Sequence, residues 1–350
     1  MSGNLRRIAG RARRGLMRQL SQHRLLWHTR RLHGPGRVTL GDDEVMLVLL
    51  ARDVEWFLPT FLDHHFRLGV RHVLIIDNGS RDATLEICAG HDRVTVLRNL
   101  LPAQRHESAL RSTLAQSVAS GGWLLFADAD ELIELPVTRP DALRQLAAYC
   151  NQHGKTAVIG QMLDRFSTRP YHEIRDLDYP RSVREMRYYS LGQLESVAYD
   201  DPVIHDLFAG FIRDNQCEDP GVRLFWGGIE SEAFGIRPLR SCHSMVRNLP
   251  TLTPMAHPHF ASRVAVADVT LLIHHYKMAG DWIERERSSQ RRALWSHGET
   301  ARRLAAVGES EDSFRFSPVR AERWAGVETL LEQGVLYASP RFRRIMSMQE

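Results

Sequence analysis

Trp123 Leu124 Leu125 Phe126 Ala127 Asp128 Ala129 Asp130 Glu131 is an apolar run that ends abruptly in three carboxylates. A continuous apolar stretch of strand length, set off by Gly121 and Gly122, predicts a strand buried on both faces in a parallel sheet. Its acids then fall at the carboxyl end, the edge where open α/β sheets bind ligands. Negative charge clustered there is unfavourable unless a cation neutralises it. Hard carboxylate oxygens suit Mn²⁺ or Mg²⁺, which keep some waters and take substrate phosphate oxygens as further ligands. Asp128 and Asp130 are therefore the candidate metal and diphosphate seat, with a solvated loop after a strand as the plainer alternative. A second Asp-x-Asp, Asp176 and Asp178, has no strand-like run before it.

The flanking sequence decides between these readings. Glu44 to Ala51 is a first buried-strand candidate ending at Arg52 and Asp53, followed by a helical pattern from about Pro59 to Leu68 that Gly69 closes. Val73 to Ile76 is a second strand, ending at Asp77, and Asn78 Gly79 Ser80 is turn chemistry. Ser80 or Asp82 is expected to cap the next helix, which runs to Gly90. Val94 to Leu97 is a third strand, and a helix from about Gln104 to Ser120 leads into the run at Trp123. Strands alternating with helices at this spacing imply right-handed crossovers and a mostly parallel sheet flanked by helices. Arg52 and Asp53, Asp77 and Asn78, and Asp128 and Asp130 then converge on one crevice.

Composition narrows the class. A chain of 350 residues, 43% hydrophobic, can bury a substantial core. Its four cysteines are widely spaced, which argues against a zinc ribbon or a disulfide framework. No Gly-x-Gly-x-x-Gly follows the first strand and no Gly-x-x-x-x-Gly-Lys-Ser/Thr occurs, which disfavours a dinucleotide oxidoreductase or a P-loop enzyme. No apolar segment approaches bilayer-spanning length and no secretory signal is evident, so a cytoplasmic protein is expected. The net charge of +4 is unevenly placed: ten arginines precede the first acid, Asp42. Residues 1–40 thus read as a basic arm suited to peripheral contact with anionic lipid, with a solvated basic tail as the alternative.

Leu50 Ala51 Arg52 Asp53, Phe57 Leu58 Pro59, His64 His65, Leu68 Gly69 Val70, Ile76 to Asp82 and Trp123 to Leu132 together resemble the nucleotide-sugar half of family 2-like glycosyltransferases, nearest to a bacterial group related to family 92. The resemblance implies a GT-A fold and a nucleotide-diphosphate sugar as donor. It implies that Asp128 and Asp130 serve the metal and diphosphate, that Asp77 or Asn78 touches the base or ribose, and that Arg52 lies near the nucleotide. One departure is Arg52 Asp53 Val54 where the family usually reads Arg-Asn-Glu. The expected organisation is a domain over 41–280, divided into a nucleotide-sugar half (41–136) and an acceptor half (137–280), then a helical extension over 281–350.

The acceptor half is less regular. Thr156 to Ile159 reads as a strand, whereas Ser167 to Asp219 shows no clear period and reads as loops shaping an acceptor site. The segment Phe225 Trp226 Gly227 Gly228 Ile229 Glu230 is similar to an aromatic-Gly-Gly turn of the family. Glu230 and Glu232 are the acids best placed there to take the acceptor's proton in an inverting transfer, with an exposed salt-bridging Glu as the alternative. In the strand pattern Val269 to Lys277, alternation sends His274 and His275 to opposite faces. Resemblance to the family's closing His-aromatic motif favours His275, as a metal ligand or phosphate contact, and Lys277 adds positive charge for the diphosphate. His257 and His259 are weaker candidates for the same region.

The resulting reading is a metal-dependent glycosyltransferase acting on a glycan or glycoconjugate acceptor hydroxyl, with no nucleic-acid partner. Two rivals remain: a nucleotidyltransferase on a similar sheet, and a catalytically inactive scaffold whose basic arm binds nucleic acid or membrane.

Overall fold

The computed structural model describes residues 23–137, 139–291, 298–309, 311–318 and 320–347. Nearly continuous apolar runs make strands buried on both faces, as a sheet covered by helices on each side requires. The strands are β1 (Thr29–His33), β2 (Val45–Ala51), β3 (His72–Asp77), β4 (Val94–Asn99), β5 (Trp123–Phe126), β6 (Glu131–Glu134), β7 (Ala157–Asp164), β8 (Ser241–Arg247) and β9 (Val266–His275). They form one sheet in the order β1-β4-β3-β2-β5-β8-β7-β9-β6.

In its first half β4, β3, β2 and β5 lie mutually parallel. The crossovers are α1 (Leu58–Leu68), α2 (Thr84–Ala89) and α3 (Ala103–Val118). Helix α1 buries Leu58, Phe61, Leu62 and His65 and ends at Gly69, whose φ of 105° suits a residue without a Cβ. The expected mostly parallel α/β sheet is thus present. Its second half is mixed: β8 runs antiparallel to both β5 and β7, β9 is parallel to β7, and β6 is antiparallel to β9.

Several expectations change in detail. The strand read at Thr156 to Ile159 continues to Asp164. The aperiodic stretch holds short helices, among them Tyr179–Glu185, whose N-terminus Asp178 caps by accepting the Arg181 N–H at 2.8 Å. That hydrogen bond gives the second Asp-x-Asp a structural role. Ser80 does not cap α2 but accepts the Asp53 N–H at 3.0 Å, tying two loops together. Beyond β9 come α6 (Trp282–Arg291), α7 (Glu299–Val307), Val327–Glu332 and Pro340–Ser347, after the short α4 (Ala142–Gln152) and α5 (Ile229–Phe234) earlier in the chain. This extension is not wholly helical, since Ala321–Arg323 pairs with Tyr188–Ser190. Trp282 and Phe316 pack there against Phe166, Tyr171 and Phe234. Of the basic arm, residues 1–22 lie outside the described residues.

Candidate active site

The carboxyl ends of the parallel strands supply the site. Asp128, Ala129 and Asp130 form the turn between β5 and β6, closed by the Glu131 N–H donating to the Asp128 carbonyl at 3.0 Å. The Glu131 carboxyl in turn accepts the Asp128 N–H at 2.8 Å. The Tyr276 N–H donates to the Asp130 carbonyl at 2.8 Å, which fixes this turn against the end of β9.

Two cavities meet at this turn. The larger, about 910 Å³, is lined by Arg52, Asp53, Asn78, Ser80, Arg98 and the start of α3. The smaller, about 460 Å³, is lined by Met162, His243, His275, Lys277, Trp282 and residues of α6 and α7. Glu107, Arg111, Asp128, Asp130 and Arg285 line both. Asp128 is half-exposed, with 51% of its side chain accessible, against 24% for Asp130.

Both acids face cations. Arg111 of α3, buried at 6% exposure, donates to Asp128 and lies 3.5 Å from Glu107. Asp130 lies 3.6 Å from the Nε2 of His275. Burial alone would raise the Asp130 carboxyl, but the charge of His275, with Lys277 and Arg285 beyond it, holds it down at about 2. Burial likewise opposes charge on His275, yet Asp130 and Asp164 together push it up to about 10. His275 therefore stands as an imidazolium, its Nδ1 hydrogen-bonded to Asp164 at 2.6 Å. With Nδ1 engaged by Asp164, the Nε2 that faces Asp130 is the nitrogen available there to a metal or a phosphate oxygen. Burial first, then the charge of Asp128, pushes Glu131 up to about 8.

The other expected residues divide. Lys277 lines the smaller cavity, and Arg52 and Asn78 line the larger. Asp77 is fully buried and spent on structure: Arg98 Nε reaches it at 2.6 Å and the Ser80 N–H at 2.9 Å. The Asn78 amide donates to the Asn99 and Leu101 carbonyls at 2.6 and 2.9 Å, holding the cavity's loop. Asp53, at a φ of 55°, accepts the Arg81 N–H at 2.8 Å and joins the same loops.

Neither Glu230 nor Glu232 is brought to the two cavities. The expected Gly-Gly turn is present, and a Cβ on Gly227 would lie 2.1 Å from the Gln193 carbonyl oxygen. It delivers Glu230 into the interior, at 1% exposure. There Arg303 donates to it at 2.9 and 3.1 Å, and Arg240 lies 3.4 Å away. Burial would raise this carboxyl, but Arg240, Lys277 and Arg303 hold it well below the usual range, which makes it a weak base. Glu232 accepts from Ser190 beside a separate cavity with Phe314 and Phe316. His259 lines the smaller cavity, but His257 does not.

Sequence reasoning missed Arg111, Asp164, Arg240, Arg285 and Arg303. Asp164 carried a usable signal, an acid ending a buried apolar strand. Arg111, Arg240 and Arg303 carry none for these contacts, because Asp128, Asp164 and Glu230 lie 17, 76 and 73 residues away in sequence.

The metal reading can be tested against these donors. Among the described residues no three His, Cys, Asp or Glu side chains are grouped to hold a metal ion. Two carboxylates at a cavity junction are instead the partial set that Mg²⁺ or Mn²⁺ uses when substrate phosphates and waters complete the shell. The residues fit a metal that arrives with its diphosphate.

No curated protein matches the chain. Among solved structures, a mycobacterial protein is 17% identical over 35% of this chain and 41% of that chain, with a TM-score of 0.22. The chain thus spans about two-fifths of that relative's length. A UDP-glucose pyrophosphorylase complexed with UDP-glucose is 10% identical over 83% of this chain and 97% of that one, with a TM-score of 0.24. Residues 60–215, which include Asp77, Asn78, Asp128 and Asp130, match the family model described as glycosyl transferase family 2.

Proposed function

We propose that the protein transfers a sugar from a nucleotide-diphosphate donor to an acceptor hydroxyl, with inversion, using Mn²⁺ or Mg²⁺ held by Asp128 and Asp130. The observation that carries this reading is the junction itself: two acids at a strand's carboxyl end, inside the matched segment, shared by a larger and a smaller cavity. The nucleoside takes the larger cavity, where Arg52 and the Asp53–Ser80 loops form the wall. The metal, when bound, supplies charge to stabilise the departing nucleoside diphosphate. His275 holds Asp130 in place and anionic. Lys277 offers positive charge to the phosphates. The acceptor enters the smaller cavity, and its proton goes to one of the carboxylates that line it, Glu107, Glu131, Glu286 or Glu299.

The basic arm fits peripheral contact with an anionic bilayer. No helix among the described residues is long and apolar enough to cross a membrane. Trp27 is 87% exposed and Leu100 67%, Thr29 pairs with Asn99 so that their segments are neighbours, and Arg24 and Arg30 are exposed as well. Exposed aromatic and aliphatic side chains among arginines suit a headgroup layer. Sedimentation with vesicles containing phosphatidylglycerol, lost in Trp27→Ser and absent with phosphatidylcholine alone, is the expected result. Equal binding to both vesicle types removes this part of the reading.

The main test incubates purified protein with a panel of nucleotide sugars, with Mn²⁺, Mg²⁺ or chelator, and quantifies released nucleoside diphosphate. Metal-dependent release from one donor is expected. Pyrophosphate formed from a nucleoside triphosphate and a sugar phosphate, with no donor turned over, would instead favour a nucleotidyltransferase.

A further inference from the structure

We propose that Arg285, on the first helix after β9, forms with Lys277 an anion subsite that receives the diphosphate of the donor. This inference rests on the two-cavity reading above and adds a residue outside the matched segment.

The cations around the smaller cavity differ in what they already hold. Arg111 is committed to Asp128 and Glu107, and His275 lies between Asp130 and Asp164. Arg303 is committed to Glu230, Glu286 and Glu299. Among the described residues, only Lys277 and Arg285 of this set have no ion-pair partner. Burial draws Arg285 away from its charged form, and the nearest acids, Asp130 and Asp281, do not fully compensate. Arg285 and Lys277 are half-buried, and a partly desolvated cation with no ion-pair partner is stabilised by an anion that supplies one.

Arg285 is also held in place before any ligand arrives. Its Nη2 donates to the Lys277 and Ala279 carbonyls at 3.3 and 2.6 Å. Its guanidinium lies 5.1 Å from the ring centroids of both Trp56 and Phe57. Gly280 permits this packing, since a Cβ there would lie 2.5 Å from the Trp56 ring and its φ is +55°. Further N–H groups of the planar fork remain to meet phosphate oxygens, with which Arg pairs well.

Position then selects the ligand. A donor with its nucleoside in the larger cavity and its sugar in the smaller places its diphosphate at the residues common to both. Those residues are three acids, Arg111 and Arg285. With Arg111 paired, Arg285 is the shared cation left to receive phosphate.

The test is calorimetric titration of inorganic pyrophosphate, with Mg²⁺, into the full chain and its variants, with thermal melts confirming that each folds. Binding to the wild type is expected, weakened about ten-fold in Arg285→Gln and in Lys277→Gln. Arg285→Lys keeps the charge but loses the fork, and weakens binding about three-fold. Absence of pyrophosphate binding in the wild type, or wild-type affinity in a folded Arg285 variant, overturns the proposal. The glycosyltransferase reading is judged separately by the donor panel. Turnover of a nucleotide sugar with unchanged affinity in Arg285→Gln sinks this inference alone, while Arg285-dependent pyrophosphate binding without donor turnover sinks the function alone.

Discussion

On one side of Asp128, strands β4, β3, β2 and β5 lie parallel and are joined by short crossovers. Side chains in β2 and β3 are almost all apolar, and Leu47, Leu74 and Ile75 are fully buried. On the other side, β8, β7, β9 and β6 are brought together from separate stretches of the chain. An alternating run of charge, buried beyond its first member, crosses this side: Asp130, His275, Asp164, Arg240, Glu230, Arg303. This run leads from the candidate metal seat to α6 and α7, because Arg303 also holds Glu286 and Glu299. Both halves are closed by burial of apolar surface, and the second adds matched charges that position the wall of the smaller cavity. The candidate seat is therefore built locally in sequence, whereas its surroundings are not.

The charged half is most sensitive at Arg303. Arg303→Met leaves Glu230 with one guanidinium fewer in the interior and is expected to cost about 3–5 kcal/mol. The double variant with Glu230→Met should recover most of that loss. Chemical denaturation measures both, and a cost below about 1 kcal/mol for the single variant would remove the claim that charge holds this half.

Next in size are core truncations in the two halves. Leu74→Ala on β3 and Leu271→Ala on β9, both fully buried, are each expected to cost about 2–5 kcal/mol. One cooperative transition in each case is the expectation for a single sheet. Two transitions, with each variant lowering only one, would separate the halves.

A third effect is on pH dependence, where histidines of opposite kind act at opposite ends. Burial holds His65 and His243 neutral, lowered to about 3. Their unfolded forms take up protons below about pH 6.5, so stability is kept above that value and lost as pH falls toward 3, by up to about 1.4 kcal/mol per unit for each. His275 is raised to about 10, so its contribution is complete below about pH 6.5 and is lost as pH rises through 10. Denaturation midpoints should therefore peak near neutrality, and His243→Gln should flatten the acid side only.

Much of the first half was legible in the sequence. Apolar runs ending in Asp77 and Asp128, with glycines at turns, report local geometry, and the strands form where those runs lie. Hydrophobic pattern does not report partners distant in sequence. Glu230 reads as a candidate base because it follows a Gly-Gly turn, yet Arg303, 73 residues later, turns it into a buried anchor. Arg111 shows nothing in sequence of its contact with Asp128, because the helix turn that presents it is set by packing of α3. The His275 imidazole was located correctly at a strand end, but its charge depends on Asp164 across the parallel pairing of β7 and β9.

The central claim is that Asp128 and Asp130 hold a metal only together with a diphosphate. Electron paramagnetic resonance of Mn²⁺, titrated with and without pyrophosphate, tests it directly. The account predicts weak Mn²⁺ binding alone, tightening at least about ten-fold with pyrophosphate, and loss of that tightening in Asp130→Ala. Mn²⁺ binding that is unaffected by pyrophosphate, or unchanged in Asp130→Ala, would contradict it.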